Sequence, residues 1–254
     1  MSAAEDYRGF SNIEAEIALI QRQVAACTLI LNREGILGYS GHVSARLPDT
    51  NTFVIQPIDT PRSDLTPEEL ITLDLDLNIL DNPGGEKPPA ETVLHAEILR
   101  ARPDINSVAH FHHDLANSFT LIEGGALVPV KNHAIRWRNG MPVHPDPAHV
   151  AHKHQGEAVA KTLGACHAMQ IRAHGQIITG ESVPAVLTDS VHFVENALAQ
   201  YNAQAIGTLK PLSEADMDSF AREFKRPRHI NKVWRYYTGN IRKAGTIPAD
   251  WELG

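Results

Sequence analysis

Cysteine is scarce in this chain of 254 residues: there are two, Cys27 and Cys166, and they form no CxxC pair. That argues against a disulfide framework and makes a reducing compartment, the cytoplasm, the expectation. Long apolar runs are missing as well, and no stretch approaches the ~20 residues of a membrane span. The opening segment "MSAAEDYRGFSNIEAEIALI" is acidic where a signal peptide is basic, so no export signal is expected. Excess positive charge is also absent. A net charge of −7 argues against a nucleic-acid protein and speaks for solubility, with 43% hydrophobic and 21% charged residues an ordinary globular balance. No repeat, low-complexity segment or Pro/Gly/Ser-rich linker interrupts the pattern. One α/β domain over residues 1–254, with a helical tail from about Ser213, is expected.

What is present alternates between the helical and strand periods. "IEAEIALIQRQVAACTLILNREG" carries apolar residues at helical spacing, with Asn12 as N-cap and Gly35 as stop. "GHVSARLP" and "NTFVIQP" are strand-like and joined by the turn residues "DTN", while "LITLDLDLNIL" alternates as one half-exposed strand. "AETVLHAEILRA" is a helix closed by "RPD", because proline disfavours helix in the residue before it. "INSVAHFH" and "AMQIRAHG" are strands, "GALVPVKNHAIRW" is extended, and "HVAHKHQGEAVAKTLG" and "SVPAVLTDSVHFVENALAQYNAQAIG" are helices.

Histidine is where chemistry concentrates. In "SVAHFHH" the strand period puts His110 and His112 on one face, where two imidazoles reach a single ion. His174 ends "AMQIRAH" just before Gly175, at a strand end where the chain turns. Together the three make a site with open coordination positions, suited to Zn²⁺ and also to Mn²⁺, Fe²⁺ or Co²⁺. Glu91 opens the helix "AETVLHAEIL", with His95 four residues on along the same face. It can serve as a fourth ligand or as a general acid/base. His144, His149, His152 and His154 flank a helix start and read as surface residues, and His192 as packed or solvated on its helix.

The glutamate opening a helix, the histidine four later, "RPDINSVAHFH", "RAHG" and the upstream "GYSGHVSARLP" together resemble the class II aldolase/adducin family, from about Ile13 to Gly207. The resemblance implies a three-layer α/β/α fold with a central, mainly antiparallel sheet. It implies one divalent metal ion per subunit on His110, His112 and His174, and Glu91 as acid/base. It also implies a homotetramer with sites at subunit interfaces. The departures bear on substrate. His42 stands where sugar-phosphate aldolases of the family have asparagine, "QPIDTP" replaces a Thr-Gly segment, and Pro89 and Ala90 replace serines. Losing hydroxyl and backbone donors removes the means of holding a phosphate dianion.

What remains suits carboxylates and phenolic hydroxyls: Arg62, His133 and Arg136 as substrate-binding groups, with His42 and His113 as further acid/base candidates beside Glu91. "GHVS", "LTPEELITLDLD" and "RPRHINKVWRYY" are similar to family members that decarboxylate hydroxylated aromatic carboxylates or ring-cleavage products. A metal-dependent decarboxylase of a small anionic, non-phosphorylated substrate is therefore the leading expectation. An aldolase follows, then an iron-dependent oxygenase and a non-enzymatic adducin-like module. The tail "REFKRPRHINKVWRYYTGNIRK" holds eight Lys/Arg in 22 residues and reads mostly as a solvated amphipathic helix; the interface sites that the resemblance implies make Tyr236 or Tyr237 the candidate to close a neighbouring subunit's pocket. Neither nucleic acid nor membrane is expected as a partner.

Overall fold

The centre of the fold is an eight-stranded sheet in the order β4-β3-β2-β1-β5-β8-β7-β6, antiparallel throughout except where β6 meets β7. The strands are β1 (His42–Arg46), β2 (Thr52–Ile55), β3 (Ile71–Asp74), β4 (Ile79–Asp81), β5 (Ser107–Phe111), β6 (Val143–His144), β7 (Ala168–Ile171) and β8 (Gly175–Gly180). The helices are α1 (Ala3–Arg33), α2 (Thr92–Ala101), α3 (Asp114–Ser118), α4 (Lys153–Leu163), α5 (Val183–Ile206), α6 (Glu214–Ala221) and α7 (Arg226–Lys243). This computed structural model describes residues 3–48 and 51–254. Part of the "DTN" turn lies outside those residues.

Period-two alternation sorts the sheet into two faces. On β5, Ala109 and Phe111 pack with α1 and α5, whereas Val108 packs with α2 and α4. β2 and β8 divide in the same way: Val54 and Ile178 face α1 and α5, and Phe53, Ile55 and Ile177 face the other side. Each face is thus a separate apolar layer, giving helix–sheet–helix. His110 falls on the α2/α4 side by the same alternation, and β1 pairs so that His42 lies opposite it.

Several local expectations need correcting. α1 begins at Ala3, so Asn12 is inside the helix rather than its cap. "LITLDLDLNIL" is two strands, because the carboxylate of Asp74 accepts from the backbone N–H groups of Asp76 and Asn78 and turns the chain there, with Leu77 at φ 68°. "NHAIRW" winds into a 3-10 helix (Asn132–Trp137) instead of extending. The long helix α5 starts where Ser182 accepts from the N–H of Ala185, a serine cap followed by Pro184 in the first turn. Ser213 caps α6 in the same manner, so the tail is helical as expected.

Candidate active site

Glu91 is the residue immediately before α2, and it is 3% exposed. Its position puts a carboxylate at the positive end of the helix and under the end of β5. His110 Nε2 and His174 Nε2 stand 3.3 and 3.4 Å from its two oxygens, and His42 Nε2 stands 3.8 Å away. His112 joins through its Nε2, 3.0 Å from that of His110. The backbone N–H of Val150 donates to Glu91 Oε1 at 3.1 Å and anchors the carboxylate from a second segment. Glu91, His110, His112 and His174 thereby bring four ligand atoms within 4.8 Å of one another.

Two glycines of the sequence motifs make this approach possible. A Cβ on Gly175 would lie 2.5 Å from His112 Cδ2 and 2.6 Å from the Phe111 carbonyl oxygen. Gly41 adopts φ 100°, and a Cβ there would lie 2.8 Å from the His110 carbonyl oxygen. The "HG" and "SGH" signatures therefore record close packing around the paired histidines.

The protonation pattern is informative. His110 Nδ1 lies 2.9 Å from the Gln176 carbonyl oxygen, which can only accept, so this nitrogen carries the proton. The lone pair of the neutral ring is then on Nε2, aimed at Glu91 and His112. Burial pushes His110 toward its neutral form, and burial takes His112 down to about 4, helped by the charges of its histidine neighbours. Burial by itself raises a carboxylate, but the ring of imidazoles around Glu91 outweighs it and holds its carboxyl below the ordinary range; with the His110 proton on Nδ1, that stabilisation comes from the other rings, such as His174 and His42, or from a cation. The His110 lone pair and the Glu91 carboxylate thus face a common point to which His112 and His174 also bring ring nitrogens. A divalent cation fits such a donor set, and the backbone partner on His110 is the usual device for orienting a histidine ligand.

Behind this cluster runs a buried chain of hydrogen bonds. His42 Nδ1 lies 2.7 Å from His95 Nε2, and His95 Nδ1 lies 2.6 Å from Ser44 Oγ. Burial pushes both imidazoles away from the charged form. A consistent assignment has the Ser44 hydroxyl donating to His95 and His95 donating to His42, which leaves the Nε2–H of His42 directed at Glu91.

The remaining sequence candidates fall elsewhere. His113, expected as an acid/base candidate, accepts from the N–H of Ala116 through Nδ1 as the cap of α3. Arg62 is buried, and its Nε and Nη1 are committed to the carbonyls of Gly41, Pro57, Ile58 and Thr60. It braces the loop before His42 instead of presenting those donors to a substrate. His133 stacks against both His192 and His229, and Arg136 pairs with Glu181 and Asp189, so neither is brought to Glu91 within the chain. Tyr237 packs against the α1/α5 core, while Tyr236 beside it is 62% exposed. One residue read as surface belongs to the site: His149 Nε2 is 3.7 Å from Glu91 Oε2, and its ring lies nearly parallel to that of His174 with 6.2 Å between centroids. Its side chain is 62% exposed, so it stands at the mouth.

Residues 21–201 match the model of the Class II Aldolase and Adducin N-terminal domain. The chain belongs to this family. Among curated relatives, a 3,4-dihydroxyphthalate decarboxylase of Arthrobacter keyseri is 28% identical over 235 residues, covering 86% of this chain and 92% of that protein. A probable L-ribulose-5-phosphate 4-epimerase UlaF of Mycoplasma pneumoniae is 33% identical over 101 residues, and this match spans only 39% of the chain and 41% of the epimerase. The solved L-fuculose 1-phosphate aldolase of Glaciozyma antarctica PI12 superposes with a TM-score of 0.80 at 19% identity, covering 91% of this chain and 92% of its own. The class II aldolase fold expected from sequence is thus observed, and lyases are among the family's members. Among the described residues, no helix is long and apolar enough to cross a membrane.

Proposed function

We propose that this protein is a metal-dependent carbon–carbon lyase that decarboxylates a small, non-phosphorylated hydroxylated aromatic carboxylate or a related ring-cleavage product. The observation that carries this reading is the convergence of the Nε2 atoms of His110, His112 and His174 on ionised Glu91. The three histidines would hold a divalent ion, of the Zn, Mn, Fe or Co class. Such an ion supplies Lewis acidity to the negative charge that develops on the substrate when carbon dioxide departs.

Glu91 carries the proton work. Being ionised, it accepts the proton of the substrate hydroxyl. As the carbon–carbon bond breaks, it returns that proton to the carbon that lost carbon dioxide, so the carboxylate ends as it began. His42 steadies that carboxylate through its Nε2–H, and the His95–Ser44 chain fixes the ring that does so. His149, exposed and 3.7 Å from Glu91, is positioned to offer a ring nitrogen to an anionic substrate.

The surroundings support a substrate other than a phosphate ester. Gln56 is buried and donates to the Gly41 carbonyl while accepting from the N–H of Val43, and Arg62 donates to the same carbonyl. In this segment, donors that would grip a phosphate are committed to the protein's own backbone. The likeness to a 3,4-dihydroxyphthalate decarboxylase over most of both chains supports the same substrate class. Aldol cleavage of an unphosphorylated hydroxy-keto acid is the second reading, because the same cluster would steady the carbanion-like product of either bond cleavage.

The reading extends to assembly. A homotetramer with sites at subunit interfaces would give exposed Tyr236 a role over a neighbouring copy's substrate. The test is direct: metal-loaded and chelator-stripped protein are each offered a panel of vicinal hydroxy-carboxylates. Carbon dioxide release by the loaded form alone supports the proposal, and none from any compound refutes it.

A further inference from the structure

A second histidine cluster lies on the opposite side of the sheet from Glu91, against α5 and α7. We propose that His133, His192 and His229 form a second metal site, for a borderline transition ion such as Zn²⁺ or Co²⁺, that clips the C-terminal helix to the body of the protein. Each histidine offers a ring nitrogen, and the three ligand atoms lie within 4.8 Å of one another. They come from three separate segments: the 3-10 helix at Asn132–Trp137, α5 and the first turns of α7.

The tautomer of the central ring favours ligation. His192 Nδ1 lies 3.3 Å from Glu195 Oε2, a carboxylate oxygen that can only accept, so Nδ1 carries the proton. Its Nε2 is left with a lone pair, pointing at His229 Nε2 at 2.8 Å. Lys131 holds the same Glu195 oxygen at 2.6 Å. This is the carboxylate–histidine arrangement that orients imidazoles toward metals. Two nitrogens on a tetrahedral zinc lie about 3.3 Å apart, so the rings need to part by roughly half an ångström. His133 lies within 4.4 Å of both other rings, centroid to centroid, and is stacked on them, so its ligation would require its side chain to rotate out of the stack.

The shell also fits. Phe224 packs on His133 and His229, and Phe220 on His133, which lowers the local polarity without burying the rings completely. His229, alone of the three, lines a cavity of about 690 Å³ between α6 and α7, so the cluster is reached from solvent on that side. All-imidazole donors favour zinc-class ions over manganese or magnesium, in contrast to the carboxylate-containing cluster at Glu91. Because the ligands come from separate segments, binding would cross-link α7 to α5 and stabilise the tail.

The inference is tested by metal content and Tm, not by turnover, so it stands or falls apart from the decarboxylase reading. His110→Ala/His112→Ala removes two ligands of the first cluster, and this variant is titrated with Co²⁺ followed by its visible absorption. One equivalent bound, with a rise in Tm, is expected. Adding His229→Gln should abolish both, and His192→Gln serves as the second variant should His229→Gln not fold. Failure of the double variant to bind Co²⁺, or equal binding after either added substitution, overturns the proposal.

Discussion

The Nδ1–H of His110 donates to the peptide carbonyl of Gln176 at 2.9 Å, across the ladder between β5 and β8. This one bond fixes which ring nitrogen is free, and it turns a buried imidazole toward Glu91 as an acceptor. A carboxylate and an imidazole lone pair 3.3 Å apart are mismatched without a cation between them.

Alanine at His110, His112 or His174 should therefore release the ion and abolish turnover while the fold survives. Metal analysis of each purified variant, with circular dichroism as the control for folding, checks this. Full metal retention by His174→Ala would count against the constellation.

Glu91→Gln keeps the shape of the side chain but removes the base. The expected loss in kcat is about a hundredfold or more, the usual contribution of a positioned acid/base group. Steady-state kinetics decide it, and wild-type kcat would reduce Glu91 to a bystander.

Gly175→Ala tests the packing argument. The added methyl meets His112 and the backbone at Phe111, so relief requires the β7–β8 turn to shift. A stability loss of about 1–3 kcal/mol is expected by urea unfolding. Metal binding should weaken as well, because the turn carries His174. Unchanged stability and metal affinity would show that the close approach is dispensable.

Much of this site was legible in sequence because it obeys short-range rules. The period of two placed His110 and His112 on one face, and the "HG" pair placed His174 at a turn. Glu91 was visible as a helix-opening carboxylate. What stayed hidden depended on long-range placement. His149 lies in "HPDPAHV", a loop with no periodicity, and nothing local says that it will return to α2. Arg62, His133 and Arg136 have the right chemistry for an anionic substrate, but their partners are distant in sequence: the Gly41 carbonyl, the His192 and His229 rings, and the carboxylates of Glu181 and Asp189. Residue type alone does not reveal such commitments.

The Arg136–Glu181–Arg226–Asp189 network gives a pH prediction. Burial works to raise the Glu181 carboxyl, but hydrogen bonds from Arg226 and the charges of Arg226 and Arg136 take it down to about 2 from 4.5. A depressed folded-state value means stability present above the unfolded value and lost as pH falls through the folded one. The Tm difference between wild type and Glu181→Gln should hold above about pH 5 and shrink toward about pH 2. A difference constant across that range would contradict the ion-pair assignment.

The central claim concerns the bond broken and the substrate that carries it. The most direct measurement compares kcat/KM of one metal-loaded preparation for vicinal hydroxy-carboxylates, followed by carbon dioxide release, and for sugar phosphates, followed by aldehyde release. Metal-dependent decarboxylation of at least one hydroxy-carboxylate and negligible cleavage of sugar phosphates are expected. Efficient cleavage of a phosphorylated sugar, with no carbon dioxide from any carboxylate, would contradict it.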